Sequence, residues 1–307
     1  MSLYVGITDQ GWFERLAGLG EMAEVNFWRP GGSAQFRALA PGELFLFKLH
    51  APLNFIVGGG FFAHSSLVPI SLAWEAFGEA NGVAQLSALQ QKIWALRKPE
   101  DRGRDVQIGC TLLSSPFFWP RDRWLSAPSD WKGAIQAGKT YDTTSGVGAG
   151  LRQAVEARLR APPAGPLVGR DSADRYGAPM LVTPRLGQGT FRIAVTDAYE
   201  RRCVITGERT LPVLEAAHIR PYASGGQHDI ANGLLLRSDL HTLFDRGYVT
   251  VTPERRFEVS RRIREEFSNG KDYYRLHGQE VRAPMRGFAA PDATALEWHN
   301  SQVFLGS

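Results

Sequence analysis

Cysteine is nearly absent: Cys110 and Cys203 are the only two in 307 residues. That scarcity excludes a disulfide framework and a four-cysteine zinc site. Long apolar runs are missing too. The most apolar stretch, Leu44 to Phe62, is interrupted by Lys48, His50 and Asn54 and contains three consecutive glycines. It cannot serve as a membrane span and reads as strands with a turn. The opening MSLYVGITDQGWFERL lacks the basic-then-apolar plan of a signal peptide, so the expected location is cytoplasmic. Charge is modest at 21%, against 43% hydrophobic residues and 11% aromatic ones. Such a composition excludes extensive disorder and supplies a core for one large domain or two ordinary ones.

The net charge of +4 is small, and its location is more informative than its size. Residues 1–150 carry thirteen Lys+Arg and thirteen Asp+Glu, a balance of zero. Residues 201–264 carry eleven Arg, no Lys and seven acids, hence +4. Arginine's planar fork matches phosphate oxygens, so this half suits a polyanion, although an Arg-rich solvated face has the same composition.

The patterning predicts a mixed, mostly β domain first. EVNFW and ELFLFKLH read as strands between the turn clusters RPGG, APG and APLN. ISLAWEAFGEANG, closed by Asn81-Gly82, and VAQLSALQQKIWALRK read as helices, and IGCTLLSSPFFWP as a returning strand. From Ala161 to Gly189 the composition shifts to Pro, Gly and Arg, which places a linker over 161–189 between domains at 1–160 and 190–307. Thr190 is expected to cap a helix over FRIAVTDAYERR, followed by a short strand and turn at CVITGE. VLEAAH reads as a strand, SGGQHDIANG as a polar loop, and LLLRSDLHTLFDRG as a strand feeding a helix that ends at Gly247. GYVTVTPERRFEVS reads as a hairpin and RRIREEF as a short helix.

Four side chains between Leu214 and Gly247 can do chemistry: His218, Asn232, His241 and Asp245. His241 and Asp245 are four apart on a predicted helix and project from one face, where they can share a cation. His218 stands near a strand end before Ile219-Arg220-Pro221, and Asn232 precedes Gly233 where a loop folds back. The stretch CVITG…LEAAHIRP…NGLLLRSDLHTLFDRG resembles the HNH (ββα-metal) endonuclease family over about 60 residues. The resemblance implies that His218 is the general base, that Asn232 braces the loop orienting it, and that His241 and Asp245 hold one divalent ion, Mg²⁺. It also implies double-stranded DNA as substrate, with a homodimer or successive nicks needed to cut both strands. Arg220 is a candidate phosphate contact, equally readable as a surface arginine. Many family members place a second metal ligand directly before the base, where this chain has Ala217. Either Glu215 supplies help from two residues earlier, or the ion is held by two protein ligands plus waters and phosphate, which a hard cation tolerates. No structural zinc is expected; Cys203 reads as a small buried apolar residue. His50, His64, His228 and His277 read as bland polar residues. His299, beside Asn300, reads as part of a packed tail, with contact to the active site as the alternative.

The N-terminal segments VNFWRPGG and PGELFLFKLHAPLNFIVGGGFF resemble PUA-superfamily β-barrels, EVE-type modules included, through Gly42-Glu43 and Ile56-Val57-Gly58. The expected fold class is therefore α+β, a PUA-like mixed β-barrel domain followed by a ββα-metal nuclease domain. Such fusions resemble modification-dependent restriction enzymes, in which the first domain extrudes a modified cytosine into an aromatic pocket. Trp28 is the first candidate for that pocket, with Trp12, Asn26 and Phe27 beside it and Trp119 and Trp124 as outsiders; filling a small barrel core is the alternative for each. Two further readings stand beside this one: a nuclease effector with a small-molecule or protein sensor, and a non-catalytic nucleic-acid-binding protein with a degenerate HNH unit.

Overall fold

The computed structural model describes residues 1–103, 105–160 and 186–306, and most of the expected linker lies outside them. The chain divides into two compact units, Met1–Pro184 and Arg185–Ser307.

In the first unit β1 (Ser2–Thr8) leads into α1 (Gln10–Leu19), whose first turn is capped by Asp9 accepting from the Trp12 amide at 2.8 Å. There follow β2 (Glu24–Arg29), β3 (Leu44–Leu49), β4 (Phe55–Pro69), α2 (Ile70–Phe77), α3 (Leu86–Ala95), β5 (Gln107–Phe118), β6 (Leu125–Ser126), β7 (Gly138–Asp142) and α4 (Gly146–Arg160). The strands form one sheet in the order β2-β5-β4-β3-β1-β7, with β6 pairing the start of β4. Only β1 and β3 run parallel. The end strands β2 and β7 do not pair with each other, so the sheet is open, and the expected barrel is corrected to an open mixed sheet.

β3 is apolar at five of six positions because both of its faces are covered. Phe45, Phe47 and Leu49 join Trp12, Leu16 and Phe27 in one core, while Leu46 joins Leu3, Ile56, Leu151 and Val155 in another, the two-residue period of a strand. The three glycines 58–60 lie inside β4 rather than in a turn. A Cβ on Gly58 would stand 2.2 Å from the Phe117 carbonyl oxygen and one on Gly59 2.6 Å from that of Phe45, so close backbone approach explains the run.

The second unit begins with α5 (Gln188–Ala198), three residues earlier than the sequence predicts; its N-cap is Gly187, and Thr190 lies buried within its first turn. CVITGE forms no strand. It is a turn closed by Cys203 N–H donating to the Glu208 carbonyl at 2.8 Å and Gly207 N–H to that of Cys203 at 2.9 Å. β8 (Leu214–His218) and β9 (Gly233–Arg237) pair antiparallel from Leu214↔Arg237 to His218↔Gly233. α6 (Ser238–Asp245) follows directly, completing a ββα unit. Beyond it lie the hairpin β10 (Val249–Val251) and β11 (Phe257–Val259), then α7 (Arg262–Phe267), α8 (Lys271–Tyr274) and α9 (Ala293–Gln302).

β9 is apolar on both faces because α5 and α6 each pack on it. Phe191 and Val195 of α5, Leu234 to Leu236 of β9, and Leu240 and Phe244 of α6 share one core with the fully buried Cys203. α6 is amphipathic by necessity: Leu240 and Phe244 point inward at a spacing of four, so His241 and Asp245, each one position later, emerge beside the cleft. No helix among the described residues is long and apolar enough to cross a membrane.

Candidate active site

A cleft of about 490 Å³ opens over the ββα unit, lined among others by Phe191, Glu215, His218, Tyr222, His241 and Asp245. His218 ends β8, so its backbone is fixed by pairing with Gly233. Its ring lies flat on Phe191, centroids 4.0 Å apart and planes 11° apart. Burial first, then the neighbouring imidazoles of His228 and His241, lowers its pKa from 6.5 to about 4.

After His218 the chain leaves through a loop that returns at Asn232. Asn232 is buried, and its amide is fully used: Oδ1 accepts from Arg220 N–H, while Nδ2 donates to the carbonyls of Arg220 and Gln227, each at 2.9 Å. A single side chain thus clamps both limbs of the loop. Gly226 makes the close return feasible, since a Cβ there would stand 1.9 Å from the Arg220 carbonyl oxygen. Arg220 itself donates from Nε to the Ser224 carbonyl at 2.7 Å and lies over the Trp298 ring at 5.3 Å.

On the other wall, Glu215 Oε2 is 2.6 Å from His241 Nδ1, and Asp245 Oδ2 is 3.4 Å from His241 Nε2. Burial raises the Asp245 pKa above its ordinary value; His241 opposes the shift and the Glu215 charge adds to it. A neutral His241 that donates Nδ1–H to Glu215 turns the Nε2 lone pair toward a carboxylate. Two acceptors then face each other, an arrangement that a cation relieves. Among the described residues no three His, Cys, Asp or Glu side chains converge as a ready cage; a hard cation also tolerates two protein ligands with water and phosphate at its other positions. Ala217, directly before His218, is fully buried in the core.

Residues 203–252 match a family model described as HNH endonuclease. The match spans Glu215, His218, Asn232, His241 and Asp245, the side chains gathered at the cleft and its loop. No curated protein matches the chain. His228, a bland loop residue by sequence, places Nδ1 2.9 Å from His218 Nε2. The missed signal is the loop itself, because a segment clamped at both limbs must carry its tip residues back to the strand end. His299 borders the cleft yet is buried against Phe244, rings 3.7 Å apart, with Nε2 3.0 Å from the Phe244 carbonyl.

The suggested reader residues sit differently. Trp12, Asn26 and Phe27 are buried. Trp12 packs edge-on against Phe27 and Phe47, and Asn26 donates to Asn81 Oδ1 at 2.9 Å and Cys110 Sγ at 3.2 Å. For these three the core reading applies. Trp28 is half-buried and donates from Nε1 to the Asn81 carbonyl at 2.9 Å. Trp119 is buried in the second core of that unit and accepts, through its carbonyl, the Trp124 Nε1–H at 2.9 Å.

Proposed function

We propose that the C-terminal unit is a metal-dependent endonuclease of double-stranded DNA. The observation that carries this reading is the gathering of His218, Glu215, His241 and Asp245 at one cleft, in a ββα unit that matches the HNH family. The His218 imidazole takes a proton from a water aligned opposite the 3′-oxygen, and the hydroxyl adds to phosphorus as the bond to that oxygen breaks. A low pKa keeps His218 in its base form across the neutral range. The negative charge of a bound phosphodiester favours the imidazolium and so raises the proton affinity when it is needed. His241 Nε2 and Asp245 would hold a divalent ion, Mg²⁺, whose chemistry when bound is to stabilise charge on the phosphoryl and leaving oxygens. Glu215 accepts Nδ1–H of His241 and fixes its ring. Asn232 holds the loop, and the terminal nitrogens of Arg220 contact a phosphate.

We assign the N-terminal unit to substrate selection, a modified cytosine being the reading that the PUA-like resemblance supports and Trp28 the residue to test first. The enzyme as a whole would then be a modification-dependent restriction endonuclease. Each ββα unit acts on one strand, so double-strand cleavage takes two protomers or two events. Incubating the protein with supercoiled plasmid, and with DNAs carrying different cytosine modifications, tests both layers. Cutting should need Mg²⁺, stop with EDTA, and run faster on one class of modified DNA. Equal rates on all DNAs would favour an effector with another sensor, and no cutting at all would favour a binding protein.

A further inference from the structure

We infer that His228 is a positioning residue for the general base: it accepts the Nε2 proton of His218 and thereby fixes the tautomer that leaves Nδ1 as the base. The inference rests on the nuclease reading above and starts from the 2.9 Å separation of His218 Nε2 and His228 Nδ1. Two neutral imidazoles can stand that close, nitrogen to nitrogen, only with one proton between them. There are two ways to place it. If His228 donates, His218 carries its own proton on Nδ1 and has no lone pair for a water. If His218 donates, Nδ1 is bare. His218 lines the cleft and His228 does not, so the ring able to reach a water there is His218, and it must be the donor. Among the described residues none is hydrogen-bonded to His218 Nδ1, which leaves that lone pair available.

The surroundings hold both rings in this relation. Phe191 stacks on one face of His218, and Tyr222 lies parallel to His228, centroids 5.1 Å apart and planes 10° apart. Tyr222 is 63% exposed, so its ring serves His228 rather than the core. Asn232 binds the carbonyl of Gln227, the residue before His228, and binds Arg220 two residues after His218. The same clamp therefore sets both ends of the pair. When Nδ1 takes the proton from water, the positive charge is shared through the existing Nε2–H bond to His228, which becomes charge-assisted only as the proton is transferred. Such an interaction stabilises the transition state more than the bound substrate and should act on kcat.

The test uses full-length protein. Imidazole ¹⁵N shifts of the wild type at neutral pH should show His218 protonated at Nε2 and bare at Nδ1. His228→Leu removes the acceptor, and kcat should fall about ten- to a hundredfold with KM within about twofold. His228→Asn puts an amide oxygen near the position of Nδ1 and should recover most of the loss. A His218 found protonated at Nδ1 would overturn the inference, as would wild-type kcat in His228→Leu, or a folded His228→Asn as impaired as the leucine variant. If His228→Leu does not fold, the wild-type tautomer and the asparagine variant still decide. His218→Ala separates the two levels: activity in that variant removes the nuclease reading itself, whereas its inactivity beside a fully active His228→Leu removes only the pairing.

Discussion

At the scale of single residues, the metal wall offers the sharpest contrasts. His241 stands between two carboxylates, with Glu215 on Nδ1 and Asp245 beside Nε2. If Nε2 and Asp245 are the ligands, His241→Ala and Asp245→Ala should each raise the Mg²⁺ concentration for half-maximal cutting. A wild-type metal titration in either variant would remove that residue from the ligand set. Glu215→Gln keeps an oxygen to accept Nδ1–H, so its loss should be modest, whereas complete inactivation would make Glu215 a ligand. Much of this site was legible because HNH chemistry writes it into spacing: His241 and Asp245 had to share a helix face, and His218 had to end a strand. What spacing does not encode is contact across a loop. His228 and Tyr222 come to the site through the return of a polar segment, and nothing in SGGQHD marks which of its residues folds inward.

At the scale of elements, the loop between β8 and β9 depends on one amide. Asn232 satisfies one N–H and two carbonyls at 2.9 Å each, all at a buried position. Asn232→Ala should cost on the order of 1–3 kcal/mol of stability, the penalty for polar groups left unpaired, and should slow cutting as well. Asn232→Asp is the informative partner. It keeps the acceptor for Arg220 N–H but sets a carboxylate against two carbonyls, so it should be nearly as damaging as alanine in urea unfolding and nicking assays. An aspartate variant equal to wild type would mean that the two donated bonds are dispensable. Strands and helices with clear periods, such as β3, β5 and the β10–β11 hairpin, were readable from the sequence. Whether the sheet closes was not, because closure depends on whether β2 and β7 meet, and no residue pattern along either strand states its partner. The strand expected at CVITGE fails for a local reason: Gly207, at φ of 74°, turns the chain back onto Cys203.

At the scale of the whole molecule, two histidines of the C-terminal unit, His218 half-buried and His299 buried, tie stability to pH. His218 and His299 are both lowered from 6.5 to about 4, chiefly by burial. The unfolded chain therefore binds protons at a pH where the folded chain does not, and stability rises with pH in that interval. The contribution is complete above about pH 6.5 and is lost as pH falls toward 4. The urea midpoint of the C-terminal unit should accordingly drop between pH 7 and 4.5, and a flat midpoint would contradict the desolvation of the two rings. Selection of substrate also belongs at this scale. With a charge balance of zero over residues 1–150 and of only +2 over 1–160, the first unit has little general attraction to phosphate and needs a specific contact to hold DNA. Trp28→Ala in the full chain should lower the preference for modified over plain duplex by about five- to a hundredfold, the worth of one base–aromatic stack. An unchanged preference would move the contact elsewhere.

The central claim is that this cleft hydrolyses DNA with His218 as the base, and single-turnover cutting of plasmid by His218→Ala beside the wild type, in saturating Mg²⁺, tests it most directly. The variant should bind DNA as tightly as the wild type and cut it on the order of 10²–10⁴ times more slowly. Cutting within a few-fold of the wild type at neutral pH would contradict the claim.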